Sequence, residues 1–275
     1  MSQSTPSSET SMIHQPPKLS HKLRSLVFYV WLSASTIIWI IPSLIIAPFL
    51  SLKHRNYFVM TCYCSIVIFG LRWICGIRCV VEGRENIPND GRGHVILSKH
   101  QSTWETFMLP LLIAPHVQVV KKELAYLPFF GWGLQLIRPI FIDRSKKSNA
   151  LKQVIQQGGE RLDDGIHVLV FPEGSRIAAG KRKAFSKGGV MLATKTKAPA
   201  VMVAHNSGEH WPNTSWVKRP GTIRMVISPV LETADMTTAQ LTETVENWVN
   251  EQVDRISETP FSGEYVEADT SGKRF

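Results

Sequence analysis

The chain has 275 residues, enough to bury the core of one large domain with a small appendage. Charged residues make up only 19% and hydrophobic residues 44%, a low charge content for a soluble enzyme. The net charge of +9 favours anionic partners such as phospholipid head groups, phosphorylated substrates or nucleic acid. The four cysteines, Cys62, Cys64, Cys75 and Cys79, lie within or beside one apolar stretch, so we expect neither a disulfide framework in the main domain nor a zinc site.

The N-terminal part of the chain combines a polar segment with two apolar runs. Residues 1–20 are predicted to be disordered, because Ser, Thr, Gln and Pro dominate them. An uncharged run from Ser25 to Leu52 exceeds the roughly 20 apolar residues that a helix needs to cross a bilayer. A second uncharged run, Asn56 to Leu71, is shorter. Together they predict a membrane-associated helical hairpin over residues 21–79.

Basic residues flank every end of the two apolar runs, at positions 18, 22 and 24, at 53 and 55, and at 72 and 78. The positive-inside rule therefore identifies no outside loop. Two interpretations stay open: a hairpin that spans the bilayer, and a pair of helices that dips into one leaflet. Both place the following domain on the same side as the N-terminus. A hairpin buried within a soluble protein is the third possibility.

Short runs rich in β-forming residues appear after residue 80, and helical patterns separate several of them. The strand-like runs are 94–98, 117–120, 139–143, 167–171, 200–204 and 222–228. Apolar residues recur with helical spacing over 151–162 and 241–256. This alternation predicts an α/β domain over residues 80–258, with a mixed, largely parallel sheet flanked by helices. The polar residues 259–275 are predicted to form a flexible tail.

The first motif is SKHQSTWET, residues 98–106. The run 94–98 brings His100 to a strand end, and Ser102 with Glu105 matches the Ser-x-x-Glu pattern of a helix start. Positions five apart on a regular helix differ by about 140°, so His100 and Glu105 meet only if His100 precedes the helix. The carboxylate would then fix the imidazole tautomer for general-base chemistry. The alternative is that Glu105 only caps the helix and His100 is a turn residue.

The second motif is FPEGSR, residues 171–176, at the end of another strand-like run. Gly174 permits close backbone approach, and Arg176 offers a guanidinium fork suited to phosphate. Basic residues continue through 181–187 and form a basic lip. Taken alone, this segment also fits a strand-end turn followed by a solvated run of charges.

Two further blocks carry weaker signals. FIDRS, residues 141–145, places Asp143 and Arg144 at the end of a strand-like run. KAPAVMVAHNSG, residues 197–208, leads through an apolar strand to His205. The simplest interpretation of this last block is a core strand with a following turn.

Read together and in this order, the four blocks resemble the motifs of the glycerolipid acyltransferase family, specifically its 1-acylglycerol-3-phosphate acyltransferases. The resemblance covers roughly residues 80–230, together with the preceding hydrophobic hairpin that is common in the family. HQSTWE and FPEGSR are the specific motifs, and the other two support them. One departure is the acid: the family's first motif is usually His, four residues and then Asp, whereas this chain has Glu105.

The resemblance implies direct transfer of a fatty acyl group from a thioester to the sn-2 hydroxyl of 1-acylglycerol-3-phosphate, which makes phosphatidic acid. The donor would be acyl-CoA or acyl-ACP, the acyl form of acyl carrier protein. His100 would act as general base, and Glu105 would orient it. Such a mechanism requires no side-chain nucleophile.

The resemblance also suggests which residues bind the acceptor. Arg144 and Arg176 would hold its phosphate through bidentate guanidinium contacts. Glu173 would orient Arg176 or hydrogen-bond a glycerol hydroxyl, and Gly174 would allow close approach. Lys122, in the KKEL segment, would donate to the developing oxyanion or to the phosphate, although it also fits a basic residue at a strand end.

The expected partners follow from the same resemblance. They are membrane phospholipids, lysophosphatidic acid and the acyl donor, with no metal and no cofactor beyond that co-substrate. We expect no nucleic acid, because no binding motif accompanies the basic residues. The expected location is a bacterial inner membrane, with the catalytic domain facing the cytoplasm. The alternatives are another lysophospholipid or glycerol-3-phosphate as acceptor, and a non-catalytic lipid-binding protein.

Overall fold

Seven strands form one sheet in the computed structural model, which describes residues 16–143 and 147–267. The strands are β1 (Ile77–Glu82), β2 (Val95–Ser98), β3 (His116–Lys121), β4 (Ile140–Ile142), β5 (His167–Val170), β6 (Ala200–His205) and β7 (Gly221–Ile227). Their spatial order is β1-β7-β6-β2-β5-β3-β4, and every neighbouring pair is parallel except β6 with β7. The predicted mixed, largely parallel sheet is confirmed.

The six strand-like runs of the sequence correspond to β2 through β7. β1 was not predicted: it begins at Ile77, within the residues assigned to the hairpin, and Ile77 pairs with Gly221 of β7. Its residues, IRCVVE, follow the apolar helix almost directly, and only Gly76 in a left-handed conformation separates the two. The predicted boundary at residue 80 therefore falls inside a strand.

Helices cover both faces of the sheet. After the hairpin they are α3 (Trp104–Leu112), α4 (Phe130–Leu136), α5 (Lys147–Asp163), α6 (Lys187–Thr196), α7 (Ser207–His210) and α8 (Thr238–Ile256). The helical patterns noted in the sequence lie within α5 and α8. Two of the unpredicted helices, α4 and α6, contain glycine pairs, which weaken both helix propensity and apolar periodicity.

The hairpin consists of α1 (Leu19–Ile46) and α2 (Leu52–Cys75), joined through a short 3-10 turn at Ala47–Phe49. Both helices are long and apolar enough to cross a membrane, with mean hydropathies of 2.0 and 1.8 over the two candidate spans. The Trp31 indole N–H donates to the Ile66 carbonyl at 3.2 Å, which ties the two helices together. These helices are the membrane candidates expected from the two apolar runs.

The hairpin packs against one face of the sheet. Side chains of β2 alternate between the two faces: Ile96 joins the core beneath the hairpin, whereas Val95 and Leu97 join the opposite core. Phe28 of α1 and Val67 of α2 belong to the first core. Residues of α5, α6 and α8 form the second. The hairpin is therefore one layer of the α/β domain.

Contacts at both ends of α2 show how it lies on the domain. Near its start, the Asn56 side chain donates to the His116 carbonyl and accepts the His116 N–H at 3.1 Å. Just past its end, the Gly76 carbonyl accepts the Gly221 N–H at 3.1 Å. β3 begins at His116, and β7 begins at Gly221 but runs antiparallel to β6. These contacts therefore lie at opposite edges of the sheet, and α2 extends from one edge to the other.

The outward face of α1 remains uncovered. Its large apolar side chains are exposed along the helix, among them Val30, Ile38 and Ile45, and Phe49 of the following turn is exposed as well. A continuous apolar surface of this length marks an interaction site rather than an ordinary soluble surface.

Both predicted terminal segments fall partly within the described residues. α1 begins at Leu19, inside the N-terminal segment predicted to be disordered; residues 1–15 lie outside the described residues, as do 268–275. Part of the predicted tail hydrogen-bonds to the body. The Thr259 N–H donates to Glu209 Oε1 at 2.7 Å, and the Val266 N–H donates to the Arg182 carbonyl at 2.8 Å.

Candidate active site

Functional side chains collect at one edge of the sheet, where β2 through β6 end. Five residues that closely follow these strands are His100 after β2, Lys122 after β3, Asp143 after β4, Glu173 after β5 and Ser207 after β6. Neighbouring parallel strands end at the same edge, so residues distant in sequence become neighbours there. Ligands of open α/β sheets commonly bind at this edge.

His100 and Glu105 lie in hydrogen-bond contact, with 2.8 Å between His100 Nδ1 and Glu105 Oε1. His100 precedes the helix, and Glu105 lies in the first turn of α3. This is the arrangement that the five-residue spacing required. The helix start differs in detail from a full capping box: the Ser102 N–H donates to Glu105, but the Ser102 hydroxyl accepts the Trp104 N–H at 2.8 Å instead.

Glu105 is fully buried and accepts five hydrogen bonds. Oε1 accepts from His100 and from the backbone N–H groups of Gln101 and Ser102, both at 2.9 Å. Oε2 accepts the Ser102 hydroxyl at 2.9 Å and the Ser207 hydroxyl at 3.0 Å. A carboxylate with this many donors is held in one orientation.

These contacts determine the charge of Glu105. Burial by itself would raise the pKa of the Glu105 carboxyl, but the charges of His205 and His100, the hydrogen bond from His100 and the Ser102 N–H lower it to about 2. Burial also lowers the pKa of His205, so the hydrogen bonds are the contribution that persists near neutral pH. Glu105 is therefore ionised at pH 7 and can only accept.

The tautomer of His100 follows from that ionised carboxylate. Because Glu105 only accepts, the proton between the two residues belongs to Nδ1, and Nε2 keeps its lone pair. The ring stacks on Phe171 with centroids 4.0 Å apart, and 17% of the His100 side chain is exposed. Nε2 makes no hydrogen bond to the described residues. In this tautomer the nitrogen without a proton is Nε2, on a side chain that is partly exposed.

A buried ion pair lies directly beneath His100. Lys99 Nζ contacts Glu173 Oε1, and each of the two residues is only 1% exposed. The His100 N–H donates to Glu173 Oε2 at 2.7 Å. Burial raises the pKa of the Glu173 carboxyl, and the Lys99 charge opposes that rise. Glu173 was expected to orient Arg176 or to hydrogen-bond a glycerol hydroxyl; in the structure its carboxylate contacts Lys99 and accepts the His100 N–H.

Arg176 connects the FPEGSR turn to the start of α3. Its Nη1 donates to the Thr103 hydroxyl at 2.9 Å, and its own carbonyl accepts the Asn213 side chain at 2.9 Å. The side chain is exposed. The two specific motifs of the sequence therefore meet, and Arg176 lies beside the helix that carries Glu105.

Gly174 has a left-handed conformation, with φ of +68°. A Cβ at this position would meet no atom within 4 Å, so backbone conformation rather than crowding favours glycine here. Next to it, the Ser175 hydroxyl accepts Lys183 Nζ at 3.0 Å. The positive φ of Gly174 gives the turn its shape, and the hydrogen bond from Lys183 ties the turn to the basic stretch that follows.

Lys122 follows β3, which lies two strands away from β2 and His100 at the same edge of the sheet. Its Nζ forms an ion pair with Asp143 Oδ2 at 2.6 Å, and this hydrogen bond raises the pKa of Lys122. The pair fixes the ends of β3 and β4 beside each other. Arg144, the other residue predicted to bind phosphate, lies outside the described residues.

The basic stretch 181–187 is partly occupied by the chain itself. Lys181 pairs with Glu264 at 2.5 Å, and Arg182 pairs with Asp254. The Arg182 guanidinium also lies 4.1 Å from the ring centroid of Phe261. These contacts hold residues 259–267 and leave less of the stretch for an anionic donor than the sequence suggested.

The side chains of the site that could bind a metal ion are hydrogen-bonded to neighbouring protein groups. Glu105 and Glu173 accept from neighbouring protein groups, and His205 Nε2 lies 2.8 Å from the Lys99 carbonyl. Within residues 16–143 and 147–267, no cluster of three or more His, Cys, Asp or Glu side chains is arranged to hold a metal ion.

Three contributors to the site were missed in the sequence: Lys99, Phe171 as a stacking partner, and Ser207. Lys99 and Glu173 each follow a buried strand closely, and opposite charges at neighbouring strand ends are a usable signal for an ion pair. Ser207 carried no local signal, because its contact with Glu105 depends on β6 lying beside β2.

A family model and several known proteins resemble this chain. A family model described as Acyltransferase matches residues 78–206, from β1 to the end of β6. The chain is 46% identical over 238 residues to a curated 1-acyl-sn-glycerol-3-phosphate acyltransferase of Pseudomonas aeruginosa, covering 86% of this chain and 92% of that protein. A Saccharomyces cerevisiae protein of the same name is 29% identical over 246 residues, covering 87% of this chain and 78% of that protein.

A solved structure shares the fold. It is the crystal structure of the 1-acyl-sn-glycerophosphate (LPA) acyltransferase PlsC from Thermotoga maritima, with a TM-score of 0.72 and 25% identity. The similarity covers 86% of this chain and 97% of that one. The fold, the family model and the 46% identity over most of the chain agree. The chain belongs to the acyltransferase family, among the 1-acyl-sn-glycerol-3-phosphate acyltransferases.

Proposed function

We propose that this acyltransferase moves a fatty acyl group from acyl-CoA or acyl-ACP to the sn-2 hydroxyl of 1-acylglycerol-3-phosphate, making phosphatidic acid. The names of the relatives support this acceptor. The observation that carries the mechanism is the 2.8 Å contact between His100 Nδ1 and Glu105 Oε1, which leaves Nε2 available as a base.

The proposed reaction uses His100 twice. Nε2 takes the proton of the acceptor hydroxyl while the hydroxyl oxygen attacks the thioester carbonyl carbon, and Glu105 stabilises the imidazolium that forms. When the carbon–sulfur bond breaks, the imidazolium returns the proton to the departing thiolate. The products are an ester and a free thiol, and the thioester is a co-substrate rather than a cofactor.

We assign the phosphate of the acceptor to Arg176 and Lys122 at this edge, and to Arg144, which lies outside the described residues. Arg176 is exposed beside the dyad, and its guanidinium can bind phosphate in a bidentate way. Lys122 is held at the end of β3 by Asp143. Gly174 would keep the turn of Arg176 in its left-handed form, and Glu173 would act through the backbone of His100.

For the membrane, we propose that the hairpin dips into one leaflet. α2 lies along the sheet from edge to edge, so a span perpendicular to the bilayer would carry the polar domain into the hydrocarbon. Insertion of the outward face of α1 avoids this cost. We place the protein at the bacterial inner membrane with the domain on the cytoplasmic side, and the Pseudomonas relative supports a bacterial setting.

A second apolar surface adjoins α1 and supports supply of the acceptor from that leaflet. α4 packs on α1, where Gly133 faces Ile40. The chain enters α4 through a strained γ-turn centred on Phe129, which has φ 62° and ψ −61°. In this turn the Phe130 N–H donates to the Pro128 carbonyl at 2.7 Å. The exposed side chains here are Tyr126, Leu127, Phe129, Phe130 and Trp132. They closely follow Lys122, so an acyl chain could stay in lipid while its phosphate reaches that lysine.

An acceptor panel tests the proposed function. The full chain in neutral detergent would be supplied with labelled acyl-CoA or acyl-ACP and with lysophosphatidic acid, lysophosphatidylcholine or glycerol-3-phosphate. We expect preferred acylation of lysophosphatidic acid, and a loss of about 10³-fold in kcat for His100→Ala. His54→Ala, an exposed histidine at the hairpin, should retain activity. Rejection of lysophosphatidic acid, or a His100→Ala variant near wild type, would overturn the proposal.

A further inference from the structure

A groove of about 330 Å³ lies where the end of α2 meets the starts of β1 and β7. Its lining residues are Arg72, Trp73, Gly76, Arg78, Pro220, Gly221 and Thr222. β1 and β7 start at the edge where β2, β5 and β6 end, so the groove and His100 share that edge. At about 4.8 Å between strands, the groove lies roughly 10–15 Å from the end of β2. It is therefore separate from the dyad.

The groove is surrounded by arginines that lack anionic partners. Arg72 and Arg78 are exposed, and neither forms an ion pair within the described ranges 16–143 and 147–267. A third arginine, Arg24 of α1, has its Nη1 3.7 Å from where a Cβ on Gly76 would lie. Mutual repulsion of three guanidinium groups is relieved when an anion binds among them.

The groove also lies next to apolar surface. Trp73 is 68% exposed, and the guanidinium carbon of Arg72 is 5.8 Å from its ring centroid. Phe69, one turn earlier on α2, is exposed as well and packs against Trp73 with ring centroids 6.1 Å apart. A tryptophan and arginines at the end of an apolar helix are typical of the membrane–water interface.

We infer that this groove binds the phosphate of an anionic membrane phospholipid, whose chains lie along Phe69 and Trp73. The inference rests on the membrane insertion proposed above. Guanidinium groups suit phosphate oxygens, and basic pockets beside membrane helices hold anionic head groups. The C-terminal end of α2 carries about half a negative charge, which opposes an anion, but three full positive charges outweigh it.

The same arginines would also attract free phosphate. The apolar neighbours of the groove therefore decide between a phospholipid and a soluble phosphate as its ligand. A soluble anion gains nothing from exposed Phe69 and Trp73, whereas a lipid buries them. The bound phospholipid would hold the domain against an anionic surface without occupying the dyad.

Lipid retention by the full chain in neutral detergent micelles tests this site. Labelled phosphatidylglycerol or phosphatidylcholine would be titrated in, and bound lipid counted after gel filtration. We expect saturable retention of phosphatidylglycerol over phosphatidylcholine, weakened at least about tenfold in Arg72→Gln/Arg78→Gln. The control Arg84→Gln/Lys195→Gln removes the same charge elsewhere and should bind like wild type. Equal retention of both lipids, or no loss in the groove variant, would overturn the inference.

Two further measurements separate the possible failures. Inorganic phosphate that displaces phosphatidylglycerol at equal concentration would reassign the groove to a soluble anion and overturn the lipid assignment. Acyl transfer to lysophosphatidic acid in neutral micelles should persist in the groove variant, and phosphatidylglycerol binding should persist in His100→Ala. The lipid-binding measurement can therefore be interpreted even if the proposed acyl transfer is not observed.

Discussion

The Ser207 hydroxyl lies 3.0 Å from Glu105 Oε2, and this contact joins the end of β6 to the carboxylate that holds His100. Glu105 stands where the family motif more often has Asp, and Glu is one methylene longer. In this chain, hydroxyls of Ser102 and Ser207 hold the far oxygen, while the near oxygen faces the imidazole. Ser207 reaches the imidazole only through Glu105, and we infer that it acts as a positioning residue.

Replacing Ser207 with Ala is expected to lower kcat about tenfold and to leave KM for the acceptor nearly unchanged. A hydrogen bond to a charged group contributes about 1.5–3 kcal/mol, and Ser207 acts on Glu105 rather than on substrate. Steady-state kinetics with lysophosphatidic acid measure both parameters. Ser207→Thr keeps a hydroxyl and should recover most of kcat. A Ser207→Ala variant with wild-type kcat would remove this residue from the mechanism.

Glu105→Gln should reduce kcat by about 10³–10⁴-fold, while Glu105→Asp should remain far more active. An amide can donate to Nδ1, which favours the tautomer whose Nε2 already carries a proton and cannot act as base. Asp keeps the negative charge but is shorter. Kinetics at saturating acceptor, with thermal unfolding as a check on folding, compare the two. Equal activities of the Asp and Gln variants would show that charge and tautomer do not matter here.

The low pKa of Glu105 also predicts how stability changes in acid. The value of about 2 in the folded chain lies below about 4.3 in the unfolded chain, so ionised Glu105 stabilises the fold above that higher value. This contribution disappears as the pH falls from about 4 to about 2. The stability difference between wild type and Glu105→Gln should shrink across that window. Unfolding in neutral detergent measures it, with the exposed change Glu251→Gln as control; a constant difference would contradict the assignment.

Much of the candidate site was predictable because parallel strands end at one edge. The runs ahead of His100, Lys122, Asp143 and Glu173 were each recognisable, and each is followed closely by a polar side chain. Their mutual contacts were not predictable. Lys99 and Glu173 are 74 residues apart, and Glu105 and Ser207 are 102 apart. Such pairs require the strand order β6-β2-β5, which local patterns do not contain.

The hairpin shows the same limit. An uncharged run predicts a helix and its length, but every side chain in it is apolar or uncharged, so the run does not indicate which side faces protein. Composition alone could not show that Val67 is buried against the sheet whereas Ile38 of α1 is exposed. The packing of α2 along the sheet therefore required the structure.

Removing one partner of the buried pair beneath His100 should destabilise the fold strongly. Lys99→Met would leave the Glu173 carboxylate buried without its cation, and the free energy of unfolding should fall by about 3–5 kcal/mol. Lys99→Met/Glu173→Gln removes both charges and should recover more than half of that loss. Denaturant unfolding in detergent micelles measures all three proteins. A double variant as unstable as Lys99→Met would mean that the loss came from packing and not from an unpaired charge.

Lys218 provides a test of how the hairpin is joined to the domain. Its ammonium lies 3.4 Å from the ring centroid of Tyr29 and 4.6 Å from that of Trp211, and the Lys218 backbone N–H donates to the Ser25 hydroxyl at 2.8 Å. Burial lowers the pKa of Lys218 to about 7, even though the aromatic faces favour the charged form. In the unfolded chain the pKa is about 10.4.

Between these two values the unfolded chain binds more protons than the folded chain, so stability rises with pH across that window. Wild type should therefore gain stability relative to Lys218→Met as the pH increases from about 7 to about 10. Thermal unfolding at several pH values measures this difference, and Lys195→Met, an exposed lysine on α6, should show no such trend. A difference that stays constant with pH would mean that Lys218 remains charged, and that its aromatic contacts outweigh the cost of burial.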